Sequence, residues 1–280
     1  MRKSGSELVA AVSRCRRTGG RSGGRRGDAC IARRTAPAWM ASAVALAVLA
    51  QTISAQPLCT ATAPLGALTA PHAATGVALN TDPASPLWAR ASTTWIARDC
   101  SKSIDYPSLK TEIRAFWTAT DLYLLFICPY SELNLFLPKD PSKARSHLWD
   151  RDVVEIFLGD NWTNINLYKE FEIAPTGDWI DLSIDYGHDL HDEAWRSGWL
   201  TAARIDPTSH VWYAAARIPL KSISASAVHA GTRWRMNLYR TDGLGADPQR
   251  HFMCWQPTCV PAPRDPNHVP EHFGTLTFGE

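Results

Sequence analysis

The stretch from Trp149 to Tyr186, WDRDVVEIFLGDNWTNINLYKEFEIAPTGDWIDLSIDY, restricts the fold more than any other part of the chain. Its apolar residues recur with period two, and Gly, Asp, Asn, Thr and Pro break it into short segments. This is the pattern of antiparallel strands joined by polar turns. Strands are predicted over 152–158, 168–174 and 179–185. In the first, Val153, Glu155 and Phe157 share one face, and Val154, Ile156 and Leu158 share the other. Asp152, Glu155, Glu170, Glu172 and Asp181 fall inside these strands. Strands tend to exclude carboxylates unless their face meets water or a ligand. One face is therefore expected to be a polar surface rimmed by aromatic residues.

The flanking sequence repeats the pattern. Alternation over 110–118 and a continuous apolar run over 121–130, with a turn at Ala119-Thr120, predict a hairpin whose second strand is buried. Further strands are expected over 199–205, 210–218, 233–241, 251–255 and 274–278. The polar segment 188–197 reads as one helical turn, and 219–228 as a short helix or turn opening at Pro219. Many short strands with almost no helical period mean an all-β protein, an antiparallel β-sandwich over 87–280. Residues 56–86, rich in Ala, Thr and Pro, read as a linker or loosely packed lead-in.

Residues 1–55 have a different character. Ten Lys or Arg against Glu7 and Asp28 give residues 1–34 a charge of +8, so the remainder of a chain of net +2 is acidic, near −6. The acidic remainder offers no nucleic-acid surface. An apolar run over 38–50 follows, then Ser54-Ala55, which is the layout of a signal peptide on a long basic leader. The run is short for a membrane span, which needs about 20 residues. An exported protein, periplasmic or extracellular, is expected, with no membrane span in the mature chain. Export permits disulfides among Cys59, Cys100, Cys128, Cys254 and Cys259, and the last two flank WQPT closely enough to bridge a loop. No Cys pair has zinc-site spacing.

At WDRDVVEIFL the chain resembles the WxxDxVEIF signature of family 9 carbohydrate-binding modules and their relatives, part of a broader superfamily of sugar- and haem-binding β-sandwiches. YKEFEIAPTGDW, ARIPL, RWRMNLYR and CWQPT…HFGTLTF continue the resemblance in order to the C-terminus, over about 88–280. It implies a non-catalytic module that clamps a sugar between two tryptophans, with a strand Glu and an Arg bonding the hydroxyls. By motif, Trp149 takes the first tryptophan's place and Glu155 that of the Glu. Two positions depart: Glu172 stands where the family has Arg, and Asn267-His268 stand where the second tryptophan falls.

The residue chemistry agrees with that implication. A flat aromatic ring covers the C–H face of a pyranose, and planar polar groups meet its hydroxyls. Trp149, Asp152, Glu155 and Glu172 supply both, and Arg235, Asn237, Trp255, Asn267 and His268 are further candidates for the same surface. Partners expected are a polysaccharide or oligosaccharide and, nearby, glycoside hydrolases. Three other readings stay open. Glu155 and Glu172 are a candidate glycosidase pair. Met236 or Met253 with His251 or His268 is a candidate haem ligation. The sandwich is also a candidate for a purely structural or protein-binding role. A structural Ca2+ on loop carboxylates such as Asp150, Asp160 and Asp185 is a candidate cofactor.

Overall fold

The structure, a computed structural model, describes residues 58–60, 65–73, 78–247, 249–261 and 263–280. The basic leader and apolar run expected to direct export lie outside these residues. In chain order the strands are β1 (Ala67–Ala70), β2 (Ser92–Ile96), β3 (Arg98–Asp99), β4 (Thr111–Trp117), β5 (Asp121–Pro129), β6 (Val153–Gly159) and β7 (Leu167–Ile173). They continue as β8 (Trp179–Asp185), β9 (Leu190–Asp192), β10 (Leu200–Asp206), β11 (Val211–Pro219), β12 (Arg233–Asp242), β13 (His251–Cys254) and β14 (Gly274–Phe278). Five form one sheet in the order β10-β11-β5-β4-β2. The other sheet runs β1-β14-β12-β6-β7-β8-β9, with β13 bridging β12 and β3. All pairings are antiparallel except β1 with β14. The all-β antiparallel sandwich read from the sequence is the fold.

The pleat decides what each strand buries. Val154, Ile156 and Leu158 of β6, Phe171 and Ile173 of β7, and Trp234, Met236 and Leu238 of β12 point between the sheets. There they meet Ile113, Trp117, Leu122, Leu124 and Phe126 of the five-stranded sheet. Each such side chain contributes roughly 1.5–3 kcal/mol by leaving water. Arg240 lies on this same inward face, fully buried. Its guanidinium crosses to the other sheet, donating to Leu109 O (3.0 Å), Thr111 Oγ1 (2.8 Å) and Pro129 O (2.5 Å), and it pairs with Asp242 (2.6 Å).

Three expectations are corrected. Residues 56–86 are not a loose lead-in where they are described. β1 extends the larger sheet, with Ala67 opposite Thr275. Leu79 packs beside Leu87 and Trp88, the first residues of the predicted domain, against Phe116, Tyr123 and Leu125 of the smaller sheet. Cys254 and Cys259 do not bond each other: Cys59 pairs with Cys259 and Cys100 with Cys254, leaving Cys128 buried and free. Segment 188–197 carries the short strand β9 in place of a helical turn. The segment 219–228 holds one 3-10 turn, Leu220–Ser222.

The outer face of the larger sheet also differs from expectation. It is not an open polar surface. Val153, Phe157, Tyr168, Ile180, Leu182, Ile184 and Tyr239 form a second apolar cluster there, capped by Leu148 and Phe273 from loops. Glu155, Glu170 and Glu172 are buried among them beside a cavity, whereas Asp181 lies on the opposite face and accepts from Ser197.

Candidate functional site

Register builds the floor of that cavity. β6 and β7 place Glu155 directly opposite Glu172, with Phe157 opposite Glu170. Period two puts Glu170 and Glu172 on the face that carries Glu155. Like charges directly opposite destabilise a sheet, and here all three carboxylates are buried, Glu172 completely. One oxygen of each lies within 4.8 Å of the other two. Burial, and then the Glu170 carboxylate, hold Glu155 well above the usual carboxylate range. Burial, and then Glu155, do the same to Glu172. Glu155 Oε1, Glu170 Oε2 and both oxygens of Glu172 receive no hydrogen bond from the protein. Asn267 Nδ2 donates to Glu155 Oε2 at 2.9 Å.

The cavity above this floor has a volume of about 780 Å³, within the range of sites for small molecules. Trp149 stands in one wall, half-exposed, on the 3-10 turn Leu148–Asp150. Its neighbour Leu148 is fully buried and anchors the turn. Arg250 clamps it from below, donating to the carbonyls of Trp149 (2.8 Å) and Arg151 (2.5 Å). The far side is the segment 260–268, with Pro261, Pro263, Arg264, Asn267 and His268 among the lining residues. Tyr186 stacks on the His268 ring (5.6 Å, 9°) and His191 meets its edge (4.9 Å, 63°).

The lining is acidic. Asp99, Asp150, Glu155, Glu170, Glu193, Asp247 and Asp265 face Lys102, Arg250 and Arg264. Each of those cations is already committed. Arg250 holds the Trp149 turn, Arg264 pairs with Glu271 (2.7 Å), and Lys102 approaches Asp99 (4.0 Å). The cavity thus combines one partly accessible indole, acceptor-rich walls and a floor of three buried carboxyl groups.

Of the residues singled out from the sequence, Trp149, Glu155, Asn267 and His268 line this cavity. Glu172 lies in the floor cluster, below the lining. The other four are not among its lining residues, and each makes contacts elsewhere in the fold. Asp152 accepts from Asn134 N (2.9 Å) and Gly243 N (3.0 Å), tying the loop before β6 to the loop after β12. Burial, and the neighbouring Asp242, raise its carboxyl to about 6. Arg235 donates to the carbonyls of Asn161 (3.0 Å) and Leu167 (3.2 Å). Asn237 is closed in a ring with the Gln256 backbone, donating to its O (3.0 Å) and accepting from its N (2.9 Å). Trp255 packs against the inter-sheet core and over Gly274, where a Cβ would come within 2.7 Å of the indole.

The other candidate ligand sets come out as follows. Met236 and Met253 sit in the inter-sheet core, away from the cavity lining, so the haem pairing does not assemble. Among the described residues Asp150, Asp160 and Asp185 do not gather around one point. Sequence reasoning missed Glu170 and His191 as site residues. The alternation Tyr168, Glu170, Glu172 carried the signal for the first. His191 had none, because its segment read as a turn.

No protein-family model and no curated protein matches the chain. Solved structures do. One is a protein from Bacteroides uniformis ATCC 8492 assigned to carbohydrate binding, 16% identical, with a TM-score of 0.60 over 76% of this chain and 98% of that one. A family 9 carbohydrate-binding module from Caldicellulosiruptor kristjanssonii in complex with cellotriose is 16% identical, with a TM-score of 0.50 over 76% and 94%. The module from the same organism in complex with glucose is 15% identical, with a TM-score of 0.51 over 77% and 97%. At these identities the likeness establishes the fold, and that fold is the sandwich of family 9 carbohydrate-binding modules.

Proposed function

We propose that the chain binds a saccharide in the cavity on the outer face of its larger sheet and does not cleave it. The observation that carries this reading is the placement of the Trp149 indole in the wall of a cavity whose floor presents Glu155 and Asn267. An indole takes the C–H face of a pyranose, while a carboxyl and an amide meet hydroxyls from the side. The solved complexes of the same fold with cellotriose and glucose support it. The second wall has no tryptophan; Pro261, Pro263 and His268 stand there instead, so the clamp is one-sided.

The reading extends to an exported protein that holds polysaccharide or oligosaccharide for glycoside hydrolases acting nearby. The Cys59–Cys259 and Cys100–Cys254 bonds support an oxidising compartment. Among the described residues no helix is long and apolar enough to cross a membrane. A glycosidase pair at Glu155 and Glu172 is disfavoured. A retaining pair stands about 5–5.5 Å apart and an inverting pair about 6.5–9.5 Å; these carboxyls come within 4.8 Å of each other, and Glu172 does not line the cavity where a substrate would meet it.

Calorimetric titration of the full-length protein with soluble cello-, xylo-, manno- and galacto-oligosaccharides tests the proposal. At least one series is expected to bind at one site per chain, with no new reducing ends released on long incubation. Silence from all four series with protein shown to be folded would overturn saccharide binding. Release of reducing ends lost in Glu155→Gln would overturn the non-catalytic reading.

A further inference from the structure

Glu170 belongs to a second group of side chains in the same cavity, to which the saccharide reading gives no hydrogen-bonding role. Its Oε2, one nitrogen of His191 and one of His268 all lie within 4.8 Å of one another. The three come from different elements, β7, β9 and the segment before Phe273, and all three are among the residues lining the cavity. We propose that Glu170, His191 and His268 bind one divalent first-row transition-metal ion, of which Zn2+ is the reference, in the wall of this cavity.

Two independent features support the assignment. The first is the setting of His268. Its Nδ1 is hydrogen-bonded to Tyr168 Oη at 2.7 Å, and its Nε2 faces Glu170 Oε2 at 3.8 Å. In the tautomer where Nδ1–H donates to Tyr168 Oη, the Nε2 lone pair is the group turned towards Glu170. This is how metal-binding imidazoles are held. The second is Glu170 itself, only 4% exposed, whose Oε2 receives no hydrogen bond from the protein and lies 3.8 Å from His268 Nε2. A buried carboxylate oxygen facing an imidazole lone pair is unfavourable unless a cation lies between them. Glu155 and Glu172 each bring one further carboxyl oxygen within 4.8 Å of a Glu170 oxygen.

The donor set selects the class of metal. Two imidazole nitrogens and one carboxylate suit Zn2+ and its first-row neighbours, which leave further positions for water or a ligand hydroxyl. Ca2+ and Mg2+ take oxygen ligands throughout. Metal–donor bonds of about 2.0–2.2 Å need the three donor atoms to draw together modestly. The exposed His191 on the three-residue β9 has the freedom to do so.

The test uses the metal alone, so it stands or falls apart from saccharide binding. Untagged full-length protein is freed of metal with chelator and titrated calorimetrically with ZnCl2, and separately with CaCl2. One Zn2+ per chain is expected, together with a rise in melting temperature and no heat from Ca2+. His191→Gln and His268→Gln are each expected to weaken Zn2+ binding about 100-fold or more, since removing even a supporting partner of a ligand costs 10–100-fold. His191 is exposed, so that variant keeps the fold whatever happens at His268. No Zn2+ uptake by folded wild-type protein, or uptake unaltered in His191→Gln and His268→Gln, overturns the proposal. Ca2+ binding in place of Zn2+ overturns it equally.

Discussion

Full-length protein carrying Trp149→Ala is expected to bind its best oligosaccharide roughly 30-fold more weakly, a loss of about 2 kcal/mol. Trp149 is the one indole that lines the described cavity. A stacked sugar draws both apolar contact and ring-face attraction from it. The turn that carries the ring does not depend on it. Leu148 is buried beneath, Arg250 holds two of the turn's carbonyls, and the indole's aromatic neighbour is the exposed His147 at 4.9 Å. The melting temperature of the variant is therefore expected to stay within a degree or two of wild type. Calorimetry with the same oligosaccharide reads the effect. Unchanged affinity would place the sugar elsewhere, and the exposed Trp95 and Trp162 would be the next surfaces to test.

The second large effect lies in the core. Arg240→Met is expected to cost about 3–5 kcal/mol of stability, seen as a fall of roughly 1–2 M in the urea midpoint with little change in slope. Methionine fills much of the space but gives no donor to Leu109 O, Thr111 Oγ1 or Pro129 O. It also leaves the nearly buried Asp242 carboxylate without its guanidinium. A buried acceptor stripped of its donor costs its whole desolvation, and a stripped charge costs more. Adding Asp242→Asn to Arg240→Met is expected to recover part of the loss, because the orphaned charge is then gone. A loss below about 1 kcal/mol in Arg240→Met would show that the guanidinium is a passenger in the interface between the sheets.

Much of this architecture was legible in the sequence because alternation is a local property. The three strands between Val153 and Asp185 form where period two places them, and the face shared by Val153, Glu155 and Phe157 is the face that meets the cavity. What failed were inferences that depend on distant partners. Cys59 and Cys259 are separated by 200 positions, and nothing in the neighbourhood of either names the other. β1 joins the sheet beside the last strand, so its short ALTA pattern had no nearby mate to reveal it. Arg235 and Asn237 do point to the outer face, as alternation requires. Loop backbone at Asn161, Leu167 and Gln256 reaches them there and takes up their hydrogen bonds. The loops that cover a sheet decide which of its polar residues remain available, and loop paths leave little trace in periodicity.

The site divides the same way. Glu155 and Asn267 stand 112 positions apart, and the resemblance of their flanking motifs placed both at the site before any contact between them was visible. Glu172, in the place of a family arginine, changes the electrostatics of the floor. Where a cation would face Glu155, a second carboxyl faces it, and Glu170 makes a third. Sequence shows the substitution; only the cross-strand register shows that the three share one buried point.

The most direct test of the central claim is a crystal structure of the protein with its best-binding oligosaccharide. The account predicts a pyranose ring lying flat on the Trp149 indole, with hydroxyls within hydrogen-bond distance of Glu155 and Asn267. A sugar bound on any other surface, with the cavity beside Trp149 holding none, would contradict it.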